Sequence, residues 1–193
     1  MKEQTKAMVI ESYARLKNLK LVGLETGISW QNVYLILKDA GVSVTGDKAR
    51  YGSVTDRVAV IGESMFKKSV PFAVDNNNLA WQSSIDFSVG NTTIDIKTSR
   101  LSDVKLRGRQ TTPRWAFCIS KQKDIADFFV LYALEKDEDK ARFIFLIPRE
   151  IATTKTTISI PSNLNSKWAD YIVTEYDLLD FFCRIAEMNK ITA

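Results

Sequence analysis

The sequence predicts an α+β protein in which a helical N-terminal segment precedes a mixed α/β domain. Residues 5–40 show the apolar spacing of helices. Residues 83–98 alternate polar and apolar side chains around a Gly-Asn pair, which is typical of a β-hairpin. Two further strands are predicted at 128–135 and 141–149, and a helix at 175–189.

The composition limits the chemistry that the chain can perform. Its 193 residues suit one medium domain, or one domain with a small appendage. Histidine is absent, which excludes His-dependent nucleases, Ser-His-Asp hydrolases and the usual zinc enzymes. Cys118 and Cys183 stand among apolar residues, so we expect buried small side chains rather than a disulfide or a zinc site. Acid-base or metal chemistry must then use carboxylates and lysines.

The charge distribution is compatible with a nucleic-acid partner. The net charge is +4. Five cations lie within residues 100–114 against Asp103 alone, so five minus one gives an excess of +4 in this loop: they are Arg100, Lys105, Arg107, Arg109 and Arg114. A solvated surface loop explains this charge equally well. No apolar run could span a membrane and no signal peptide is visible, so we expect a soluble, cytoplasmic protein without a membrane partner.

The N-terminal elements follow one another closely. A helix is predicted at 5–17 and a second, shorter one at 19–26, which ends at Gly27 in a left-handed turn. Ser29 is suited to cap a third helix, and Gly41 ends it. Residues 46–56 are polar and aperiodic, so we divide the chain into a helical segment 1–45, a linker 46–56 and a domain 57–193.

The second and third helices resemble the helix-turn-helix motif of DNA-binding proteins. The match consists of the small residue Gly23, the turn glycine, Ile28 after it, and Val33 and Ile36 in the third helix. Leu35 departs from the motif, because that position usually faces solvent, and predicts a contact with the rest of the chain. The alternative is a three-helix packing unit that binds no DNA.

The resemblance implies that the third helix enters the major groove by its N-terminal end. The side chains there that could contact DNA are Trp30, Gln31, Asn32, Tyr34 and Lys38. Asn and Gln can bond adenine edges, an aromatic ring can meet a thymine methyl group, and lysine can hold a phosphate.

The central hairpin has a register that the sequence determines. Because Gly90-Asn91 is a two-residue turn, Val89 pairs with Thr92, and Asp86 then faces Asp95. The predicted partners further on are Ser84 with Lys97, Phe87 with Ile94, and Ile85 with Ile96, which gives one apolar and one polar face. Two aspartates opposite each other destabilise a sheet unless a divalent cation lies between them. Lys97 points to the same side.

The preceding segment adds a third carboxylate. Residues 56–68 are predicted to form a helix that is apolar nearly all round and therefore buried, with Glu63 in its middle. Gly62 would allow a neighbouring backbone to approach closely. A carboxylate in a buried helix needs a partner, and the aspartates of the hairpin would supply one through a metal.

Glu63, Asp86 and Asp95-Ile96-Lys97 together resemble the PD-(D/E)XK, or restriction-endonuclease-like, superfamily of nucleases over about residues 56–150. The resemblance implies an αβββαβ core, Asp86, Asp95 and Glu63 as Mg²⁺ ligands with Mn²⁺ as a substitute, and Lys97 as the fourth catalytic residue. Two features depart from it: the name-giving proline is missing before Asp86, and no long helix follows the motif.

The resemblance also implies a function and leaves rivals open. It implies a site-specific endonuclease on double-stranded DNA, of homing, phage-encoded or restriction type, near the nucleoid. We expect a dimer or tetramer and no small-molecule cofactor. A Holliday-junction resolvase and a DNA-binding regulator on a nuclease-like scaffold are the alternatives. A nuclease for RNA or single strands is disfavoured, because A-form RNA hides its major groove. The alternative to a catalytic site is that Asp95 and Lys97 form a surface ion pair without a function.

Overall fold

The computed structural model describes residues 3–42, 44, 53–76, 83–103, 105–106, 109–110, 112–152 and 154–191. Within these ranges the chain is of the α+β class, with six α-helices and a mixed six-stranded sheet. The predicted class is therefore confirmed. None of the described helices is both long and apolar enough to cross a membrane.

Helices lie at both ends of the chain. They are α1 (Glu3–Leu16), α2 (Leu19–Thr26), α3 (Trp30–Asp39), α4 (Val54–Ser69), α5 (Arg149–Ala152) and α6 (Glu175–Ile191), with a short 3-10 helix at Lys167–Tyr171. The predicted bounds of α2 are confirmed, and α4 begins two residues before its predicted start. Ser53 and Asp56 cause this earlier start, since each side chain accepts a hydrogen bond from the other residue's backbone amide, at 3.2 and 3.0 Å. Residues 46–52 of the predicted linker lie outside the described residues.

The described residues include ten strands, which form one large and two small sheets. They are β1 (Val74–Asp75), β2 (Phe87–Val89), β3 (Thr92–Arg100), β4 (Lys105–Leu106), β5 (Arg109–Gln110), β6 (Arg114–Cys118), β7 (Phe128–Leu134), β8 (Ala141–Pro148), β9 (Thr157–Pro161) and β10 (Ile172–Val173). The large sheet has the order β1-β2-β3-β7-β8-β10, and β4-β5 and β6-β9 are separate antiparallel pairs. Only β3 and β7 run parallel within the large sheet. The predicted strands at 128–135 and 141–149 are confirmed.

The N-terminal helices α1, α2 and α3 bury a core of their own, which includes Val9, Tyr13, Val22 and Val33. A Cβ atom at Gly23 would lie 2.8 Å from the carbonyl oxygen of Ile28, so only glycine allows the turn to approach α2 this closely. Gly27 adopts the predicted left-handed conformation, with φ +69°. Ser29 caps α3 by accepting from the Asn32 amide. The local geometry expected of the motif is thus present.

The large sheet is covered on both faces. One face packs against α4 and α6 and buries Phe66, Ile94, Ile96 and Phe182, among others. The other packs against the β6-β9 pair, where Trp115 and Phe117 are fully covered. Because the helices cover one face of the sheet and the β6-β9 pair covers the other, β7 is buried on both of its faces.

In the described residues α4 is followed by β1, β2 and β3 and then by β7, which runs parallel to β3. The predicted second helix is missing from the described part of the β3–β7 crossover, residues 101–127. That stretch contains the β4-β5 pair, β6 and a turn at 120–125. The layer that a crossover helix would supply is built here by β6 and β9, whose buried side chains cover that face of the sheet.

Candidate active site

The hairpin that carries the aspartates has the predicted register as far as Phe87. Val89 pairs with Thr92, Ser88 with Thr93 and Phe87 with Ile94. Gly90 has φ +57°, which explains why the tight turn requires glycine at this position. Asp95 and Lys97 consequently point to the face opposite Ile94 and Ile96, as the alternation predicts.

Beyond Phe87 the predicted pairing is wrong, because the ladder stops. In a continued antiparallel ladder the Ile96 amide would donate to the Ile85 carbonyl. Instead it donates to Asp86 Oδ2 at 2.8 Å, while the Ile85 carbonyl accepts from the Ser83 hydroxyl at 2.7 Å. The pairs Ser84–Lys97 and Ile85–Ile96 are therefore not formed. Ile85 packs with Trp115 and Phe129 on the face opposite Ile96.

Asp95 is a buried carboxylate with incomplete hydrogen bonding. Its exposed fraction is 1%, and the adjacent Lys97 side chain is 22% exposed. Lys97 Nζ lies 3.0 Å from Oδ1, to which it donates, and 2.8 Å from Oδ2. The second approach lacks hydrogen-bond geometry, so Oδ2 is buried without a donor. Oδ2 thus has an ion-pair partner but no hydrogen-bond donor, and a buried carboxylate oxygen whose hydrogen bonding is incomplete carries a desolvation cost.

Electrostatics link Asp95 to Asp86. The pKa of Asp95 is raised from 3.8 to about 7: burial is the largest cause and the neighbouring Asp86 carboxylate adds to it, whereas the Lys97 ammonium opposes both effects. The balance favours a neutral Asp95 in the folded state below neutral pH. Two interacting carboxylates with one lysine beside them are therefore placed at the end of β2 and the middle of β3.

The donor set of this site fits a divalent cation. Mg²⁺ prefers carboxylate oxygens and usually takes one or two of them, with water and phosphate oxygens completing its shell. Asp95 offers an oxygen without a donor, and the Ile96 amide holds the Asp86 carboxylate by a single oxygen. Across the described ranges no group of three or more His, Cys, Asp or Glu side chains is arranged to hold a metal. The geometry thus offers a pair of ligands.

Glu63 lies in a different setting from the one predicted. Only Gly62 and Phe66 of α4 are buried, and Glu63 is half-buried, so the expectation of an all-round buried helix is wrong. The apolar side chains of α4 cover the sheet from one side only. Glu63 lines a cavity of about 410 Å³ together with Val60, Ser64, Lys67, Lys68, Asp75 and Phe87. Its role as a third metal ligand stays a prediction.

Gly62 places α4 directly on the strand of the site. A Cβ atom here would overlap Thr98 Oγ1 and lie 3.4 Å from a methyl carbon of Ile96. The predicted close approach at this glycine is therefore confirmed. It keeps α4 against the strand that carries Asp95 and Lys97.

Cys118 lies near the site and is exposed, so the prediction of a buried thiol is wrong. Cys118 ends β6, in which Trp115 and Phe117 point inward and Ala116 and Cys118 outward. Its sulfur lies 3.2 Å from the Ser120 hydroxyl. The hydrogen bond with Ser120 lowers the pKa of the thiol, and the ammonium groups of Lys97 and Lys121 lower it further. The alternation in β6 was the signal that would have revealed this exposure.

The basic loop is only partly available for DNA. Arg100 forms an ion pair with Asp139, and its guanidinium also donates to the Glu138 carbonyl at 2.8 Å. The hairpin tip after β7 thus holds Arg100. Arg114 is half-buried and donates to the Ser159 hydroxyl at 3.4 Å. Lys105 and Arg109 stand in β4 and β5, and Arg107 lies outside the described residues.

The predicted DNA-contacting residues of α3 lie together at its N-terminal end and along one side. Trp30 is 46% exposed, and Gln31 and Asn32 are exposed. Tyr34 is half-buried, with the Lys38 ammonium 5.9 Å from the centre of its ring. Leu35 is 59% exposed, so its predicted contact with the rest of the chain is not made by the described residues. These side chains are accessible to a partner.

Comparisons with known proteins add no assignment: no protein-family model matches the chain, and neither the curated proteins nor the solved structures give a match. The functional argument therefore rests on the residues of the site.

Proposed function

We propose that the chain is a metal-dependent endonuclease that hydrolyses phosphodiester bonds in duplex DNA. The observation that carries this proposal is the juxtaposition of Asp86 with the buried Asp95, whose Oδ2 lacks a hydrogen-bond donor and whose strand neighbour is Lys97. The proposal keeps the PD-(D/E)XK resemblance and the αβββαβ core, with the second helix replaced in the described residues by a strand pair.

The two aspartates would hold the Mg²⁺ ion, or Mn²⁺ in its place. The bound metal supplies Lewis acidity and a water molecule of lowered pKa. The chain itself orients the ligands: the Ile96 amide fixes the Asp86 carboxylate, and burial on β3 fixes Asp95. Lys97 adds a positive charge on the same face, where it can offset the charge that develops on the phosphate.

The helix-turn-helix would bring duplex DNA to this site. The exposed N-terminal end of α3 offers Gln31 and Asn32 for base edges and Trp30 for a methyl group. Lys38 would contact phosphate, so binding should weaken steeply with salt. Cleavage of both strands requires two active sites, which favours a dimer or tetramer of this chain in the nucleoid-containing compartment of a bacterial or phage-infected cell.

Plasmid digestion tests the proposal. Wild type, Asp95→Asn and the matched control Asp137→Asn, an exposed aspartate of the β7–β8 hairpin, are incubated with supercoiled plasmid with and without Mg²⁺. We expect wild type and the control to nick or linearise the DNA only with Mg²⁺, and Asp95→Asn to leave it supercoiled. Equal cleavage by wild type and Asp95→Asn would reject the site.

A DNA-binding regulator is the second candidate. The observation that favours it is the Lys97–Asp95 ion pair, which balances the charge of Asp95 without any metal. The two candidate functions predict different fates of the DNA when Mg²⁺ is added. A regulator would bind DNA in a gel-shift assay but leave both a plasmid and a library of candidate sites intact. A nuclease would cleave them.

A further inference from the structure

The end of β6 and the turn that follows it lie along the strand that carries Asp95 and Lys97. Cys118 and Ser120 are in contact at 3.2 Å, and both are exposed. The antiparallel bridge between Ser102 and Arg114 and the hydrogen bond from the Ala116 amide to the Ser99 hydroxyl, at 3.1 Å, align β6 along β3, so that Cys118 lies next to Lys97. Lys97 bonds Asp95, and Lys121 directly follows Ser120, so a thiol, a hydroxyl and a second lysine stand at the end of β6 that adjoins Lys97.

Backbone hydrogen bonds hold this turn in place. The Lys123 amide donates to the Ile119 carbonyl at 2.9 Å, and the Ala126 amide donates to the Gln122 carbonyl at 2.9 Å. Two further bonds connect the end of the turn to β3. Asp127 accepts from the Thr93 amide at 2.8 Å and from the Thr93 hydroxyl at 2.7 Å. Ser120 and Lys121 are therefore fixed relative to the strand that carries Asp95.

The side chains of Cys118, Ser120 and Lys121 together suit one kind of ligand. They are exposed and offer a positive charge and the hydrogen-bond donors of a hydroxyl and a thiol. Such a set binds an anion with several acceptor oxygens, and a phosphodiester group of DNA has two non-bridging oxygens that can accept from a lysine and a hydroxyl at once.

We infer that Lys121 and Ser120 position a phosphodiester group of duplex DNA against Lys97 at the candidate active site. The inference rests on the proposed function and deepens it, because it names the residues that hold the substrate beside the carboxylates. Lys121 is a positioning residue. It is exposed, so its replacement should leave the fold unchanged.

The first test is the salt dependence of DNA binding in EDTA, where no cleavage occurs. Wild type, Lys121→Gln and Lys123→Gln are compared on a short duplex. Lys123 is a matched control, because it lies in the same turn but 4.0 Å from Asp124. Loss of one phosphate contact should lower the slope of log K against log salt by about 0.9, which corresponds to a Kd about eightfold higher at roughly 0.1 M salt. We expect this for Lys121→Gln alone.

The second test uses the exposed Cys118 as a reporter, with Cys183 of α6 as an internal control. Saturating duplex should slow the alkylation of Cys118 by iodoacetamide and leave Cys183 unchanged, in wild type and in Lys123→Gln. Alkylation of Cys118 at an unchanged rate in a DNA complex seen by gel shift would overturn the inference, and so would equal losses of affinity in the two lysine variants.

These outcomes are separable from those of the plasmid experiment. Protection of Cys118 without any cleavage would retain the phosphate site and reject the nuclease. Cleavage without protection of Cys118 would retain the nuclease and reject Lys121 as a positioning residue.

Discussion

The buried carboxylate of Asp95 should make the protein less stable as the pH rises, and Asp95→Asn should remove this dependence. In the folded state burial raises the pKa of Asp95 from 3.8 to about 7. Between these values the folded chain keeps a proton that the unfolded chain has lost, so the free energy of unfolding falls with rising pH. The stabilisation is complete below pH 4 and is lost as the pH passes 7.

The magnitude follows from the same two values. At about 1.4 kcal/mol for each pH unit between the two pKa values, the free energy of unfolding falls by about 4 kcal/mol in total. About 3 kcal/mol of this decrease occurs between pH 5 and pH 8. Lys97 reduces the loss, because its ammonium favours the ionised carboxylate, and this contribution is already contained in the value of about 7. Asparagine has nearly the same shape and does not ionise, so the variant should lack this component.

Urea unfolding of wild type and Asp95→Asn at pH 5, 6, 7 and 8, without divalent cations, measures the difference. All other groups titrate in both proteins, so the pH dependence of the difference belongs to Asp95 and its neighbours. We expect the variant to gain stability relative to wild type by about 3 kcal/mol between pH 5 and pH 8. A difference that stays constant with pH, or that shrinks toward pH 8, would refute the reasoning.

Further predictions concern the scaffold and the DNA-binding surface. Gly62→Ala should lower the free energy of unfolding by about 1–3 kcal/mol, because the new Cβ overlaps Thr98 Oγ1, and urea unfolding should show a smaller loss in a Thr98→Ala background. Thr174→Ala removes the hydroxyl that accepts from the Asp177 amide at 3.1 Å and should cost about 1 kcal/mol in the same assay. Mg²⁺ should raise the melting temperature of wild type at pH 8 and leave that of Asp95→Asn unchanged, as measured by calorimetry. Asn32→Ala should weaken binding to a selected target duplex by about 1–3 kcal/mol in a gel-shift titration, with a smaller effect on random DNA.

The parts of the fold that depend on local signals were predictable from sequence. The end of α2 follows from Gly27, and the hairpin register near its turn follows from Gly90-Asn91. In both cases a short polar or flexible residue fixes the backbone at the end of an element. The apolar alternation then assigns the faces of β3.

The parts that depend on contacts distant in sequence were not predictable. The partner of β6 could not be predicted, because Arg114 pairs with Pro161 and Cys118 with Thr157, far along the chain. The ion pair of Arg100 with Asp139 joins β3 to a hairpin tip for which no function was expected.

At the site itself, the sequence indicated that Asp86, Asp95 and Lys97 would lie together but not how Asp86 reaches β3, and the part of Glu63 stays a prediction. The prediction used an unbroken ladder, in which Asp86 and Asp95 face each other as paired residues. In the structure the hydrogen bond from the Ile96 amide draws the Asp86 side chain to the edge of β3. The alternation of polar and apolar residues in a sequence cannot predict that a side chain will replace a backbone carbonyl as hydrogen-bond acceptor.

Because the Asp86 carboxylate takes the place of the Ile85 carbonyl as acceptor, this one side chain both ends the pairing of β2 and holds a negative charge at the edge of β3. Lengthening β2 back to Ile85, by two residue pairs, would return the Ile96 amide to a backbone carbonyl and release the Asp86 carboxylate from its place. Conversely, any residue at position 86 that cannot accept a hydrogen bond leaves an amide of a buried residue unsatisfied. The architecture of the sheet and the chemistry of the site are therefore constrained to change together, and substitutions at this position would be tolerated only in combination with a shift of the hairpin.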